Sequence, residues 1–351
     1  MKRTLSFLFG LLLLAIPIEA GAVTLRGDVN SDSRVTIADV TALIDYLLTG
    51  DEAAINLENA DVSGDGLIGI NDVTKLIDYL LIGSWEPYAP QTETFTVNGV
   101  SFTMVIVEGG TFMMGSNEEE QNPPIETPNE YPVHEVTLSN YGIGQTEVTQ
   151  ELWEAVMSWH PDTLNEDFEA EFIHPSYFSS KNGYPDNLQR PVENVSTRKI
   201  ELFLGNLQAL TGREFRLPTD AEWEFAARGG NQSRGYKYSG SDDLDEVAWW
   251  GCNFNGNSGQ CTNPVATKAP NELGLYDMSG NVWECTADRA SYEYPSEPET
   301  NPSYPIVLGS GHSARGGCWA HRAWDCRVSR RFWFPSPYSS NTHGLRLALT
   351  L

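Results

Sequence analysis

The sequence is short of positive charge, and cysteine is absent from most of it. Lys and Arg number 22 against 48 Asp and Glu, a formal net charge of −26. A chain this acidic repels polyanions, which argues against nucleic acid as a partner. No cysteine precedes Cys252, so no thiol near the amino terminus is present to carry a lipid. The apolar run from Leu5 to Ile16 is shorter than the ~20 residues a membrane helix needs. There is no phosphate-cradling glycine loop, no Ser/His/Asp arrangement and no glycosidase-type carboxylate pair at recognisable spacing. Calcium chemistry, thiol chemistry and ligand binding are left.

Residues 1–22 have the layout of a secretory signal: Lys2 and Arg3, the apolar run, then Ala20-Gly21-Ala22 as a small-residue cleavage site. Export to the periplasm, the medium or the cell surface would follow, with no membrane span once the signal is removed. It would also permit disulfides and give access to calcium.

Next comes a repeat with an offset of 33 residues. Asp28-Val29-Asn30-Ser31-Asp32 matches Asp61-Val62-Ser63-Gly64-Asp65, and Leu43-Ile44-Asp45-Tyr46-Leu47-Leu48 returns as Leu76-Ile77-Asp78-Tyr79-Leu80-Leu81. Each copy reads as a loop followed by an apolar-striped helix, with Gly50 and Gly83 as stops. The loops have the twelve-residue calcium spacing of an EF-hand. Asp28, Asn30, Asp32 and Asp39 hold positions 1, 3, 5 and 12 of the first; Asp61, Ser63, Asp65 and Asp72 hold those of the second. Arg34 and Leu67 would offer the position-7 backbone carbonyl. Val35 and Ile68 at position 8 would pack the loops together. Position 12 is Asp rather than Glu, and no helix enters either loop. The paired unit resembles a type I dockerin over residues 25–84. That resemblance implies two calcium ions coupled to folding and a cohesin-like partner bound through a helix face. The domain is set at 23–84 and a Pro-containing linker at 85–94.

From Phe95 the pattern changes. Alternating Phe95, Val97, Phe102, Met104 and Ile106 around Asn98-Gly99 predict a strand hairpin. Val136 and Leu138 predict another strand. Thr149 is placed to cap a helix with Leu152, Trp153, Val156 and Met157 on one face. Residues 158–192 read as an irregular insertion. A helix is expected from Ser196 to Gly212, and Thr219-x-x-Glu222 is a capping box for the next.

The stretch Gly274-Leu275-Tyr276-Asp277-Met278-Ser279-Gly280-Asn281-Val282-Trp283-Glu284 combines two acids, a turn glycine and two large aromatics. Asp277, Glu284 and the carbonyls of Gly280 and Val282 could wrap one calcium ion.

This stretch belongs to an ordered set of motifs. The set includes Glu108-Gly109-Gly110-Thr111-Phe112-Met113-Met114-Gly115, Glu147-Val148-Thr149, Phe215-Arg216-Leu217-Pro218-Thr219, Ala314-Arg315-Gly316-Gly317, Cys326-Arg327-Val328-Ser329 and His343-Gly344-Leu345-Arg346. Together they resemble the formylglycine-generating enzyme, or sulfatase-modifying factor, family over residues 95–351. The resemblance implies an α+β, C-type-lectin-like fold with little regular structure. It also implies calcium at Asp277, Gly280, Val282 and Glu284, and a second calcium site beginning at Asn253-Phe254. Catalytic members of that family oxidise a substrate cysteine with oxygen, using copper(I) held by two cysteines four residues apart. Here Cys318 follows Gly317 directly and Cys326 lies eight residues further on, so that spacing is absent. Cys318 and Cys326 remain the candidates for a non-standard thiol pair, with copper disfavoured.

The five cysteines of an exported chain are expected to form disulfides, with one left over. Cys252 is placed to pair with Cys261, while Cys285 could pair with either Cys318 or Cys326. His321 and Arg322, near Trp319 and Trp324, could line a pocket that Trp249, Trp250 and Trp333 join. The sequence thus points to a secreted calcium-binding protein in which a docking module precedes a domain binding a glycan or a peptide. A sulfatase-activating oxidase is the alternative.

Overall fold

A computed structural model describes residues 26–32, 34–62, 67–82, 89–117, 130–159, 172–251, 261–289, 294–305, 311–335 and 339–351. The chain divides into two compact units, Met1–Pro87 and Tyr88–Leu351.

In the first unit the Thr36 hydroxyl accepts the N–H of Ala38, and the Asp39 carboxylate reaches back to the N–H of Thr36 at 2.8 Å. This reciprocal cap starts helix α1 (Ile37–Thr49). Gly50 ends it at φ 72° and donates to the Tyr46 carbonyl. Helix α2 (Ile70–Ile82) is the second copy. Between them they bury Val40, Leu43, Val73 and Leu76 together with Val29, Ala60 and Val62, and Val35 and Ile68 pack against this cluster. Seven buried side chains among the described residues are a small core for a unit of this size.

The second unit opens with the hairpin β1 (Gln91–Val97) and β2 (Val100–Val107), in register from Gln91–Ile106 to Val97–Val100. Asn98 at φ 49° and Gly99 at φ 86° make its two-residue loop, both in the left-handed region that such a turn requires. With β5 (Tyr141–Gly144), β6 (Phe215–Arg216) and β12 (Ala348–Leu349) they form a five-stranded sheet, β1-β2-β5-β12-β6. Helices α3 (Gln150–Met157), capped by Thr149, and α4 (Thr197–Thr211), ended by Gly212, cover it. Trp153 stacks on Phe203 there at 4.7 Å. Ser196 starts α4 without a side-chain cap.

Helix α5 (Asp220–Ala227) carries the expected Thr219/Glu222 capping box and is buried along its whole length. It packs beside two further sheets. One has the order β10-β9-β7-β11, from β7 (Trp283–Arg289), β9 (His312–Arg315), β10 (Phe332–Phe334) and β11 (His343–Leu345). The other joins β3 (Thr111–Met114), β4 (His134–Thr137) and β8 (Glu299–Thr300). Short strands joined by long connections give an α+β fold. No described helix is long and apolar enough to cross a membrane.

Candidate functional site

In the first calcium-type loop, Asp28 and Asp39 are buried, Asn30 is half-buried, and Asp32 and Arg34 are exposed. The loop turns on its own side chains. Asp28 Oδ1 and Asn30 Oδ1 both accept the N–H of Asp32, at 2.9 and 3.0 Å, and Asp32 accepts that of Arg34. Asp39 accepts from Asn30 and Thr36. Asp28 and Asn30 turn oxygens toward one N–H, and oxygen donors are what a hard cation takes, while among the described residues no three His, Cys, Asp or Glu side chains are gathered as a metal-binding group. In the second loop Asp61 is half-buried, Leu67 is exposed, and Asp72 is buried with its Oδ2 2.7 Å from the N–H of Gly69. Ser63 and Asp65 lie outside the described residues, as do Asn253 and Phe254.

The Asp277–Glu284 loop of the second unit is buried. Asp277 sits at φ 57°, its Oδ2 accepting the N–H of Ala266 at 2.7 Å. Its Oδ1 is buried with no hydrogen bond among the described residues. Burial pushes this carboxyl up to about 6, above its ordinary range. Gly280 is required where it stands: at φ 86°, a Cβ would come within 2.5 Å of the Trp249 carbonyl. Glu284, wholly buried, is engaged elsewhere. Arg346 binds it at 2.7–3.0 Å and the Trp223 indole donates to it at 2.5 Å. A third acid, Glu147, reaches the loop instead, accepting from the N–H of Val282 at 3.0 Å and from Asn281 at 2.7 Å. Its carboxyl is raised well above the usual range, first by burial and then by Asp277 and Glu284. The sequence offered Glu147 only as part of a motif, and nothing in the local pattern paired Glu284 with Arg346, 62 residues away.

Among the described residues no disulfide forms, contrary to expectation. Cys285 on β7, Cys318 and Cys326 belong to three different apolar clusters. Burial pushes the Cys285 thiol up to about 12. Cys318 and Cys326 are both fully buried. Cys326 lies against Gly317, where a Cβ would come within 2.8 Å of its sulfur. Its thiol is raised by burial and by neighbouring Cys318. Copper(I) takes thiolates as ligands, and here burial raises the Cys326 thiol above its ordinary value.

Over Cys318 lies an aromatic cluster. The buried Trp283 ring stacks on Phe332 at 5.2 Å and meets His321 edge-on at 5.6 Å. Its indole N–H donates to His321 Nδ1 at 2.9 Å, which puts the imidazole proton on Nε2. Burial lowers the His321 pKa, so the ring stays neutral. Phe178 packs edge-on against Trp319 at 5.2 Å and against Tyr184 at 4.9 Å, and Tyr177 beside it is exposed. His321, Tyr184 and Phe332 are only partly covered, so the cluster has an accessible rim. Trp249 and Trp250 stand apart, bonded to Thr267 and Asp245. Trp324 carries Arg327 over its ring at 3.6 Å.

Residues 90–351 match the sulfatase-modifying factor enzyme 1-like domain, and residues 26–81 match the dockerin type I domain. The chain is 30% identical over 278 residues to the chaperone protein LppX of Paenibacillus barcinonensis, covering 70% of this chain and 87% of that one. It is 30% identical over 294 residues to the formylglycine-generating enzyme of Thermomonospora curvata, covering 70% and 92%. Among solved structures, Treponema denticola variable protein 1 is similar at 32% identity and a TM-score of 0.59, covering 74% of this chain and 99% of that one.

Proposed function

The chain belongs to the sulfatase-modifying factor family over residues 90–351 and carries a dockerin type I domain ahead of it, and from that premise we propose that it is an exported, docked binding module rather than an oxidase. Family membership alone leaves this open, since its relatives are named as a chaperone and as a formylglycine-generating enzyme. The observation that carries the reading is the pair of sulfurs behind Gly317. Cys318 and Cys326 are fully buried, and His321, three residues beyond Cys318, is held by the Trp283 indole. The partly covered aromatic rim of His321, Phe332 and Tyr184 suits stacking against a glycan or a peptide.

Docking would be the task of the first unit. Its repeat exposes matched apolar side chains: Ile37 and Ile70 at 69% and 70%, Leu48 and Leu81 at 79% and 76%. Such pairs suit a partner protein of the cohesin type. Calcium would occupy the two loops through Asp28, Asn30, Asp32, Asp39, Asp61, Ser63, Asp65 and Asp72, with the position-7 carbonyls of Arg34 and Leu67. At the Asp277 loop an ion would use Asp277 and the carbonyls of Gly280 and Val282, and Glu284 would have to share its carboxylate with Arg346.

The test is mass spectrometry of a Cys-x-Pro-x-Arg peptide incubated with the protein, copper, oxygen and a thiol reductant. No formylglycine is expected. Turnover that Cys318→Ser abolishes would overturn the reading in favour of a non-standard thiol pair.

A further inference from the structure

Strand β7 begins at Trp283, under the aromatic rim, and ends at Asp288 and Arg289. Those end residues border a separate cavity of about 310 Å³, at the small end of the range for ligand sites. Its lining is mostly ionisable or aromatic, including His134, Asp288, Tyr294, Glu299 and Tyr304.

The lining sets Asp220, Asp288 and Glu299 beside Arg289 and Arg331, and the ion pairs are unevenly shared among them. Asp220 is matched twice, by Arg315 at 2.8 Å and Arg331 at 2.9 Å. Asp288, 2% exposed, instead accepts two backbone N–H groups, from Asp220 at 2.7 Å and Tyr304 at 2.6 Å. Glu299 accepts the Tyr304 hydroxyl at 2.5 and 2.6 Å. Two carboxylates thus face one cavity, held by neutral donors.

His134 makes the imbalance sharper. It is 3% exposed, and its Nδ1 lies 3.2 Å from the Pro132 carbonyl. A carbonyl only accepts, so Nδ1 carries the proton. In the neutral ring Nε2 is then an acceptor, and among the described residues it makes no hydrogen bond. It faces Glu299 Oε2 across 3.8 Å, too far for a hydrogen bond. With the ring in that state, two acceptors face each other across this gap. The Tyr294 ring, 4.8 Å from that of His134, supplies an aromatic wall.

We propose that this cavity binds a small aliphatic ammonium, whose N–H groups bridge His134 Nε2 and Glu299 while its alkyl chain lies along Tyr294 and Met114. Carboxylates joined to aromatic faces are the surroundings in which a cation is held after losing water. Titration supports the geometry. Burial, and then Asp220, push Asp288 up to about 6, with Arg331 opposing. Asp220 on α5, Arg289 at the end of β7, Arg331 ahead of β10, and Glu299, Tyr294, Tyr304 and His134 are the ionisable groups that share the cavity with it. A bound cation favours the ionised carboxylate, so affinity should rise from pH 5 to 7 and binding at pH 6 should release protons.

The experiment is calorimetric titration of the full calcium-loaded chain with n-butylammonium, and with n-butanol as its neutral counterpart. Butylammonium is expected to bind at least tenfold tighter than butanol, and Glu299→Gln to remove that preference. Glu299 is partly exposed, so this variant should fold, and an unchanged melting temperature would establish that. Asp288→Asn, less exposed, should weaken binding and flatten its pH dependence. Equal binding of amine and alcohol, or no binding of the amine, would overturn the proposal. So would a proton NMR spectrum showing the His134 ring doubly protonated at pH 7.5, because the ring would then close the pair with Glu299 itself.

Discussion

The two units bury their acids in opposite ways. Between residues 26 and 82 there are eleven acids and three basic residues, and buried Asp39 and Asp72 are held by backbone N–H groups. In the second unit several buried acids are matched by arginines of the same chain. Arg346 holds Glu284, Arg315 and Arg331 hold Asp220, and Arg327 holds Glu130 at 2.7 Å. A carboxylate taken out of water needs a counter-charge or a proton. A sixty-residue unit with so small a core has less room for arginine stems, and on the reading proposed above its cation would come from solution. A unit with several large clusters can wrap the guanidinium groups inside. Glu147, Asp277, Asp288 and Glu193 are the exceptions in the larger unit, each raised in pKa. That is where a ligand or ion has something to offer.

The largest effect expected is on the first unit. Asp28→Ala together with Asp61→Ala should abolish helices α1 and α2 even in excess calcium, and with them any binding to a cohesin. Circular dichroism and co-elution check this; retained helicity would mean that the loops are ordinary acidic turns.

Arg346→Ala should be next. It leaves Glu284 buried with only the Trp223 indole, at a cost of about 3–5 kcal/mol and a fall on the order of 10 °C in the melting temperature of the second unit. Addition of calcium should restore part of that loss if Glu284 is then free to join Asp277. A melting temperature unchanged by the substitution would show that the buried pair is not what holds this loop.

Glu193→Gln should act in the other direction. Burial pushes Glu193 up to about 7, and its Oε2 has no hydrogen bond among the described residues. With an unfolded value near 4.3, folding takes up a proton between about pH 4.3 and 7, so this group's stabilisation is full below that window and lost as pH rises through it. Gln cannot ionise. The variant should gain on the order of 2 kcal/mol at pH 8 and nothing at pH 4. Denaturant unfolding at both values decides it, and an equal change at the two would contradict the ionisation argument.

His321→Ala should be the mildest, about 1 kcal/mol for the acceptor lost by Trp283. Its larger consequence would be reduced glycan or peptide binding at the rim, read by titration against any ligand identified for the wild type.

Much of the fold was legible because its signals are local. The Asn98-Gly99 turn, the Thr219/Glu222 box and the glycine that ends α4 each act within a few residues of the structure they make. The repeat spacing likewise points to Asp28 and Asp39 as neighbours. What could not be read was long-range pairing. Arg346 on Glu284, Glu147 on Val282 and Tyr304 between Asp288 and Glu299 depend on how strands far apart in sequence come together. Cysteine count suggested bridges for the same reason it misled: it carries no information on which apolar cluster each sulfur enters.

The contrast between the units is tested most directly by hydrogen exchange on the whole chain, with calcium and after chelation. The account predicts that protection collapses through α1 and α2 on removal of calcium while β7, β9 and α5, fastened by Arg315 and Arg346, keep theirs. Protection in α1 and α2 that survives the chelator, or is lost equally from β7 and β9, would contradict it.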